Sequence, residues 1–166
     1  MWAVDPETSS VEFTIKHLGV ATVRGRFADF SGTVGLTAGD PAVHAEGSVA
    51  VASIATGDAK RDEILRSDRF FDAGRFPAIT YRSLGWGAAG ADARELHGEL
   101  TIRGVTRPLV LTLATDLDPA TTAGELVVEA RGRVDRTRFG MPFDEEASSA
   151  LLGRDVKLVL SLRAAG

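Results

Sequence analysis

The chain has 166 residues, 44% of them hydrophobic and 25% charged, with a formal net charge of −4 and no cysteine. This is ordinary globular composition, long enough to bury a core without staples, and it argues against disorder. The acidic balance disfavours nucleic-acid binding, which needs a concentrated basic face, and the lack of cysteine excludes disulfides, thiolate metal sites and thiol nucleophiles.

No apolar run reaches the roughly 18–20 residues of a membrane-spanning helix. The opening "WAVDPETSSVEF" is polar and turn-rich, without the pattern of a secretory signal, so the expected location is the cytoplasm.

Read in chain order, the periodicity is that of strands. "SVEFTIKH" (10–17) sets Val11, Phe13, Ile15 and His17 on one face. "ATVRGRFADFSGTVGLT" (21–37) is too long for a flat strand, and its apolar phase shifts between Phe27 and Phe30, which predicts a bulge or sharp bend. "VHAEGSVAV" (43–51) alternates again, with Val43, Ala45, Gly47, Val49 and Val51 opposite His44, Glu46 and Ser48. "DAKRDEILRSDRFF" (58–71) then predicts a short helix, with Asp58 as N-cap and Ile64 and Leu65 on its apolar side. Further strands are expected at about 78–86, 94–103, 107–116, 125–135 and 155–163. Before the last of these, "DEEASSALLGRD" (144–155) predicts a second helix, capped by Asp144 and stopped at Gly153. Gly-, Ala- and Thr-rich stretches at 85–93 and 118–124 are the expected flexible places. About eight one-sided antiparallel strands must close into a barrel or stack as a sandwich to hide their edges.

The inward faces are unusually small. Gly25 lies between Val23 and Phe27, Gly98 between Leu96 and Leu100, and the strand at 125–135 presents Leu126, Val128, Ala130, Gly132 and Val134. Ala45 and Gly47 add to the set. A small barrel is normally filled by its own side chains. Two readings stay open on pattern alone: a narrow apolar tunnel, or glycines that merely permit bending and bulges.

Motifs for chemistry are sparse. His44 and His97 fall on outer faces beside Glu46, Glu95 and Glu99, as solvated residues do, and His17 ends an inward face, open to orienting a polar head group or to service as a hydrogen-bonded rim residue. "DLDPATTAGE" (116–125) lacks the central glycine and third acid of a calcium loop and reads as a hairpin turn. No phosphate-binding glycine loop, G-x-S-x-G or H-E-x-x-H occurs. "RVDRTRFGMPF" (133–143) gathers arginines and two phenylalanines, open to anion binding or to service as a solvated basic edge.

Several blocks together resemble the YceI-like family of polyisoprenoid-binding, lipocalin-like barrels. They are the opening "WAVDPETSSVEFTIKHLGVATVRGRFADFSGTV", then "SIATGDAKRDEILRSDRFFDAGRFPAITYRS", "GELTIRGVTRPLVL" and "VDRTRFGM", in family order over almost the whole chain. The family's first motif often reads Asp-Pro-x-His-Ser; here Thr8 stands in the histidine position. The resemblance implies one all-β domain over residues 1–166: an elongated eight-stranded antiparallel lipocalin-like barrel with two short helices. "RGVT" becomes a tight hairpin connection with Gly104 free to take φ > 0. Pro108 then sits at a strand start, and Arg103 and Arg107 decorate a barrel end.

The resemblance also implies a long apolar pore holding an isoprenoid quinone, polyprenol or similar lipid. Its expected lining is Phe13, Ile15, His17, Val23, Gly25, Phe27, Ala45, Gly47, Val49, Tyr81, Leu96, Gly98, Leu100, Val128, Ala130 and Gly132. The expected function is non-catalytic binding, transport or sequestration, with no catalytic residue, cofactor, metal or nucleic-acid partner, and self-association as a homodimer is left open. The alternatives are a lipid isomerase or hydrolase using the barrel as a reaction chamber, which would need an inward acid–base pair, or a stress-linked interaction module.

Overall fold

A computed structural model describes residues 2–17, 21–36, 43–87, 94–113, 125–141 and 152–166. The alternating segments form strands. β1 spans Trp2–Val4, β2 Ser10–His17, β3 Ala21–Phe27, β4 Phe30–Leu36, β5 Val43–Ala50 and β6 Ile54–Ala55. Helix α1 follows at Ala59–Arg66, then β7 at Ala78–Gly87, β8 at Arg94–Ile102, β9 at Val105–Leu113, β10 at Glu125–Asp135 and β11 at Leu152–Ala165. Single 3₁₀ turns occupy Val51–Ser53 and Arg136–Phe139.

All strand pairings are antiparallel, and they close into a ring because β1 pairs with both β4 and β11. Taking β1 with β2, β3 with β4, and β5 with β6 as single bent strands, the barrel has eight. The phase shift expected between Phe27 and Phe30 is a break in the strand at Ala28 and Asp29. The neighbouring strand kinks in step through the turn at Val51–Ser53. Ala50 donates its N–H to Asp29 O (2.9 Å) and Ala28 to Ser53 O (3.3 Å), so the ladder continues through the bend.

A second detour lies between β1 and β2. Asp5 N–H donates to Arg163 O, and the Ser9 hydroxyl oxygen accepts Arg163 N–H at 2.9 Å, so one side chain replaces a main-chain pairing. Thr8, at the family's histidine position, donates its hydroxyl to the Asp5 carboxylate at 2.9 Å. The residue serves the turn.

Helix α1 begins as expected: the Asp58 carboxylate accepts from Lys60 N and Arg61 N, and these bonds hold its pKa below the usual carboxylate value. Leu65 is buried, but Ile64 is exposed, because one short helix presents a single row to the barrel. The expected helix at 144–155 lies outside the described residues up to Leu151. From Leu152 the chain is strand, with Asp155 opposite Asp135 and Val156 opposite Ile15. Gly153 therefore belongs to β11 and is no helix stop: the alternation that places Leu158, Leu160 and Leu162 against the core extends the strand past Asp155. The hairpin turn expected over 116–125 also lies outside the described residues as far as Gly124.

The connection 103–104 is a two-residue turn with Arg103 at φ 51° and Gly104 at φ 72°, joining Ile102 to its partner Val105. Pro108 lies within β9 rather than at its start, opposite Glu99. It is tolerated there because β9 pairs with β10 only at Thr112 and Leu113, leaving its first half without a ladder on that side. Arg103 does more than decorate a barrel end, since it donates to Phe70 O at 3.0 Å across that end.

A β-carbon at Gly104 would stand 2.9 Å from the Phe76 ring, in a left-handed backbone conformation. Gly104→Ala is expected to destabilise the protein by about 1–2 kcal/mol. Urea unfolding checks this; an unchanged midpoint would mean that the turn relaxes at no cost.

Candidate functional site

Strand alternation sends one row of each strand inward, and these rows surround a cavity of about 240 Å³. β2 contributes Phe13 and Ile15, and β3 contributes Val23 and Phe27. β5 brings Ala45, Gly47 and Val49, while β7 brings Tyr81. Leu96 and Leu100 come from β8, and Val128 and Ala130 from β10. Twelve of the expected positions thus share one wall. The side chain of His17 lies outside the described part of the structure.

Three expected positions do not open onto the cavity. A β-carbon at Gly25 would fall 2.2 Å from the Phe13 ring, which lies over that glycine from the directly opposed position of the next strand. At Gly98 it would fall 2.4 Å from the Tyr81 hydroxyl and 2.6 Å from Arg82 O, and at Gly132 it would fall 2.9 Å from Leu111. These glycines are inward but covered. Their missing side chains make room for a neighbour's ring or branch, so they leave no gap. Gly47 behaves differently: its nearest neighbour would be Ser31 O at an ordinary 3.5 Å. Tyr81 stands directly opposite Gly47, yet its ring leans the other way, onto Gly98. The one glycine among these that opens onto the cavity owes this to where a tyrosine turns.

The sequence reading omitted several lining residues. β9 supplies Leu109, Leu111 and Leu113, and β11 supplies Leu158, Leu160 and Leu162. Both rows are plain alternations and could have been read. One end of the cavity is covered by Leu65 of α1 with Phe70, Phe71 and Met141. Phe71 meets Phe27 edge-on at 6.3 Å, and Phe27 packs on Phe13 at 5.6 Å, giving a chain of rings from cover to wall. The paired "FF" after the helix was the available signal for this cover.

Polar groups bordering the cavity are few. The Tyr81 hydroxyl donates to Leu96 O at 3.4 Å, and burial pushes its pKa up to about 12, so it stays a neutral donor at ordinary pH. Thr56, Arg61 and Arg136 border the covered end. Asp62 is buried and accepts from both the N–H and the hydroxyl of Thr56, while Arg61 donates to Thr56 Oγ1 (2.9 Å) and Thr56 O (3.0 Å). His44 and His97 are exposed, His97 beside Glu95 at 3.3 Å, on the outer surface as their phase requires. Among the described residues no three His, Asp or Glu side chains gather as a metal site.

The YceI-like domain model matches residues 2–164. A UPF0312 protein of Azotobacter vinelandii is 34% identical over 102 residues, covering 61% of this chain and 53% of that protein. The chain thus matches about half the length of that curated relative. Among solved structures, BcnA of Burkholderia cenocepacia superposes with a TM-score of 0.86 at 21% identity, covering 98% of this chain and 99% of BcnA. A polyisoprenoid-binding domain from Saccharophagus degradans, implicated in plant cell wall breakdown, gives a TM-score of 0.72 at 15% identity, covering 99% and 98% of the two chains. At these identities the two structures speak for the fold, an eight-stranded antiparallel closed barrel.

The different surroundings of the glycines predict opposite outcomes. Gly98→Val must displace Tyr81 and meets main chain, and is expected to cost about 1–3 kcal/mol through overpacking. Gly47→Val is expected to change stability by less than about 0.5 kcal/mol, since it adds an apolar branch where space exists. Parallel denaturant melts separate them; equal losses would mean that the two sites are packed alike.

Proposed function

The chain belongs to the YceI-like domain family, and from that premise we propose that its barrel binds a long-chain amphiphilic lipid, an isoprenoid such as a quinone or polyprenol in the first place, and catalyses no reaction on it. The observation that carries this reading is the 240 Å³ cavity with walls of aliphatic and aromatic side chains from every barrel strand. Apolar side chains that face an empty space lack packing partners on that side. An apolar chain restores those contacts, and each buried CH₂ adds roughly 0.8 kcal/mol. The polyisoprenoid-binding domain of Saccharophagus degradans, with the same fold, supports the ligand class. A binding role is also favoured by the chemistry of the border. Tyr81, Thr56, Arg61 and Arg136 are donors, and among the described residues no acid–base pair faces the cavity.

The test is a titration of delipidated protein with a fluorescent polyene, then displacement by isoprenoid alcohols and quinones of increasing length. Saturation at one site per chain, unaffected by EDTA, is the expected result. Ala130→Leu, which puts a larger branch at a position bordering the cavity, should weaken the longest chains most. Folded protein that binds none of these chains would overturn the proposal.

A further inference from the structure

The outer face of the barrel is uneven in charge. β10, β11, β2 and β3 are consecutive in the ring. Together they carry eight Lys and Arg against five Asp and Glu, a surplus of three in a chain whose net charge is −4, so the remainder of the chain sums to −7. Alternation turns one row of each strand toward the core. Arg24, Arg26, Arg131, Arg133 and Lys157 stand in the other rows, and all five are exposed.

The register gathers these cations. Arg133 lies directly opposite Lys157, Lys157 opposite Thr14, and Thr14 opposite Arg24, so one line across four strands holds three cations and no acid. The next line runs through Arg131, Val159, Glu12 and Arg26, with a single acid. On the spacings of a sheet, the five cations share a field about 14 Å by 7 Å. Among the described residues no carboxylate lies within ion-pairing distance of any of them. Acids of the same strands are placed at the margins: Glu125 pairs with Arg163 at 3.6 Å, and Asp135 accepts from the N–H and hydroxyl of Thr137 past the end of β10. Like charges directly opposite each other on a sheet are destabilising. The fold gains nothing from setting Arg133 against Lys157, whereas an anionic partner would be held by both.

We propose that the outer face of β10, β11, β2 and β3 docks the barrel on an anionic lipid surface. A membrane offers a layer of negative headgroups, and a sheet face offers an array of cations whose attractions to that layer accumulate residue by residue. The acidic remainder of the molecule is then turned away from the surface. Phe13 and Phe27 are the only Phe, Tyr or Trp residues of these four strands, and both are buried, so the face presents no such ring on which a nucleic-acid base could stack. The choice of a lipid surface rests on the proposed lipid guest, which a docked barrel takes up or releases without carrying it through water.

The test is flotation of the whole chain with vesicles of phosphatidylcholine alone and of an equal mixture of phosphatidylcholine and phosphatidylserine. Binding is expected on the mixed vesicles only, and it should fall steeply as salt is raised. Arg133→Gln combined with Lys157→Gln should weaken it at least about tenfold, since each cation near such a surface contributes several-fold. The same pair should leave the melt unchanged or raise it, because a like-charge opposition is relieved. Arg24→Gln combined with Arg131→Gln is read in the same way where the first pair does not fold. Arg82→Gln removes an exposed cation on β7, outside these strands, and should leave vesicle binding unchanged. Equal binding to both kinds of vesicle, or binding to mixed vesicles that survives the paired variant unchanged, would overturn the proposal. A short DNA duplex that displaces the vesicles at equal charge concentration would make this a general polyanion face and overturn the lipid assignment. A polyene titration without vesicles runs alongside. Protein that binds polyene in solution and floats with no vesicle would overturn the docking face alone. Folded protein that floats with mixed vesicles and binds no polyene would support the face and remove the proposed guest.

Discussion

An antiparallel sheet with two open edges cannot enclose a volume, so the pairing of Ala3 with Thr33 on one side and Ala165 on the other is the contact on which the cavity depends. At this end of the barrel the three residues of β1 make the closure, and β2 makes it along the rest of the strand. The strand that contains them must serve two neighbours at once, and it accommodates both by the detour at Asp5–Ser9, after which β2 resumes pairing with β11 and β3. Hydroxyls hold the detour together: Ser9 takes up the Arg163 N–H and Thr8 binds Asp5. The polar, turn-rich opening of the sequence is thus part of the ring.

Much of this was legible because strand periodicity and burial have one cause. In a closed barrel every strand has one dry face, so Val23, Phe27, Leu96, Leu100, Val128 and Ala130 announce themselves by alternation, and the break at Phe27–Phe30 announces the bend by a change of phase. The Asp58 cap was readable for a local reason, since its partners are two and three residues away. The apolar face of α1 was not. Ile64 and Leu65 are equally apolar, and only the place where the helix docks decides that Leu65 is buried and Ile64 exposed. The reading of Gly153 as a helix stop failed for a similar reason. A glycine after two leucines is a local signal, but the pairing of β11 with β2 and β10 is not local.

The glycines show where such reading stops. Gly25, Gly47 and Gly98 all occupy inward positions between larger apolar neighbours, and nothing in the sequence distinguishes them. In the folded barrel Phe13 covers the first and Tyr81 covers the third. Tyr81 stands between two glycine-bearing strands, directly opposite Gly47 and diagonal to Gly98, and its choice of side determines which glycine is packed and which opens onto the cavity. A side-chain rotamer chosen by packing thus sets the shape of the cavity wall. That information belongs to pairs of strands, and no single strand carries it.

The covered end follows a different logic from the wall. Strand interiors satisfy their own carbonyls, but the turns, the short helix and the strand ends at this end leave carbonyls without a ladder partner. Arginines supply the donors. Arg66 bonds Ala52 O and Ile54 O, Arg61 bonds Thr56 O, Arg103 bonds Phe70 O, Arg107 bonds Arg138 O and Arg136 bonds Gly153 O. A forked guanidinium on a long stem can reach two such groups and still cover apolar surface, which lysine does less well. This gives the arginines of "DAKRDEILR", "TIRGVTR" and "VDRTRFG" a structural role in an acidic protein, as staples for backbone at this end. Because the stapled elements close the cavity, two of the staples, Arg61 and Arg136, also belong to residues that border it.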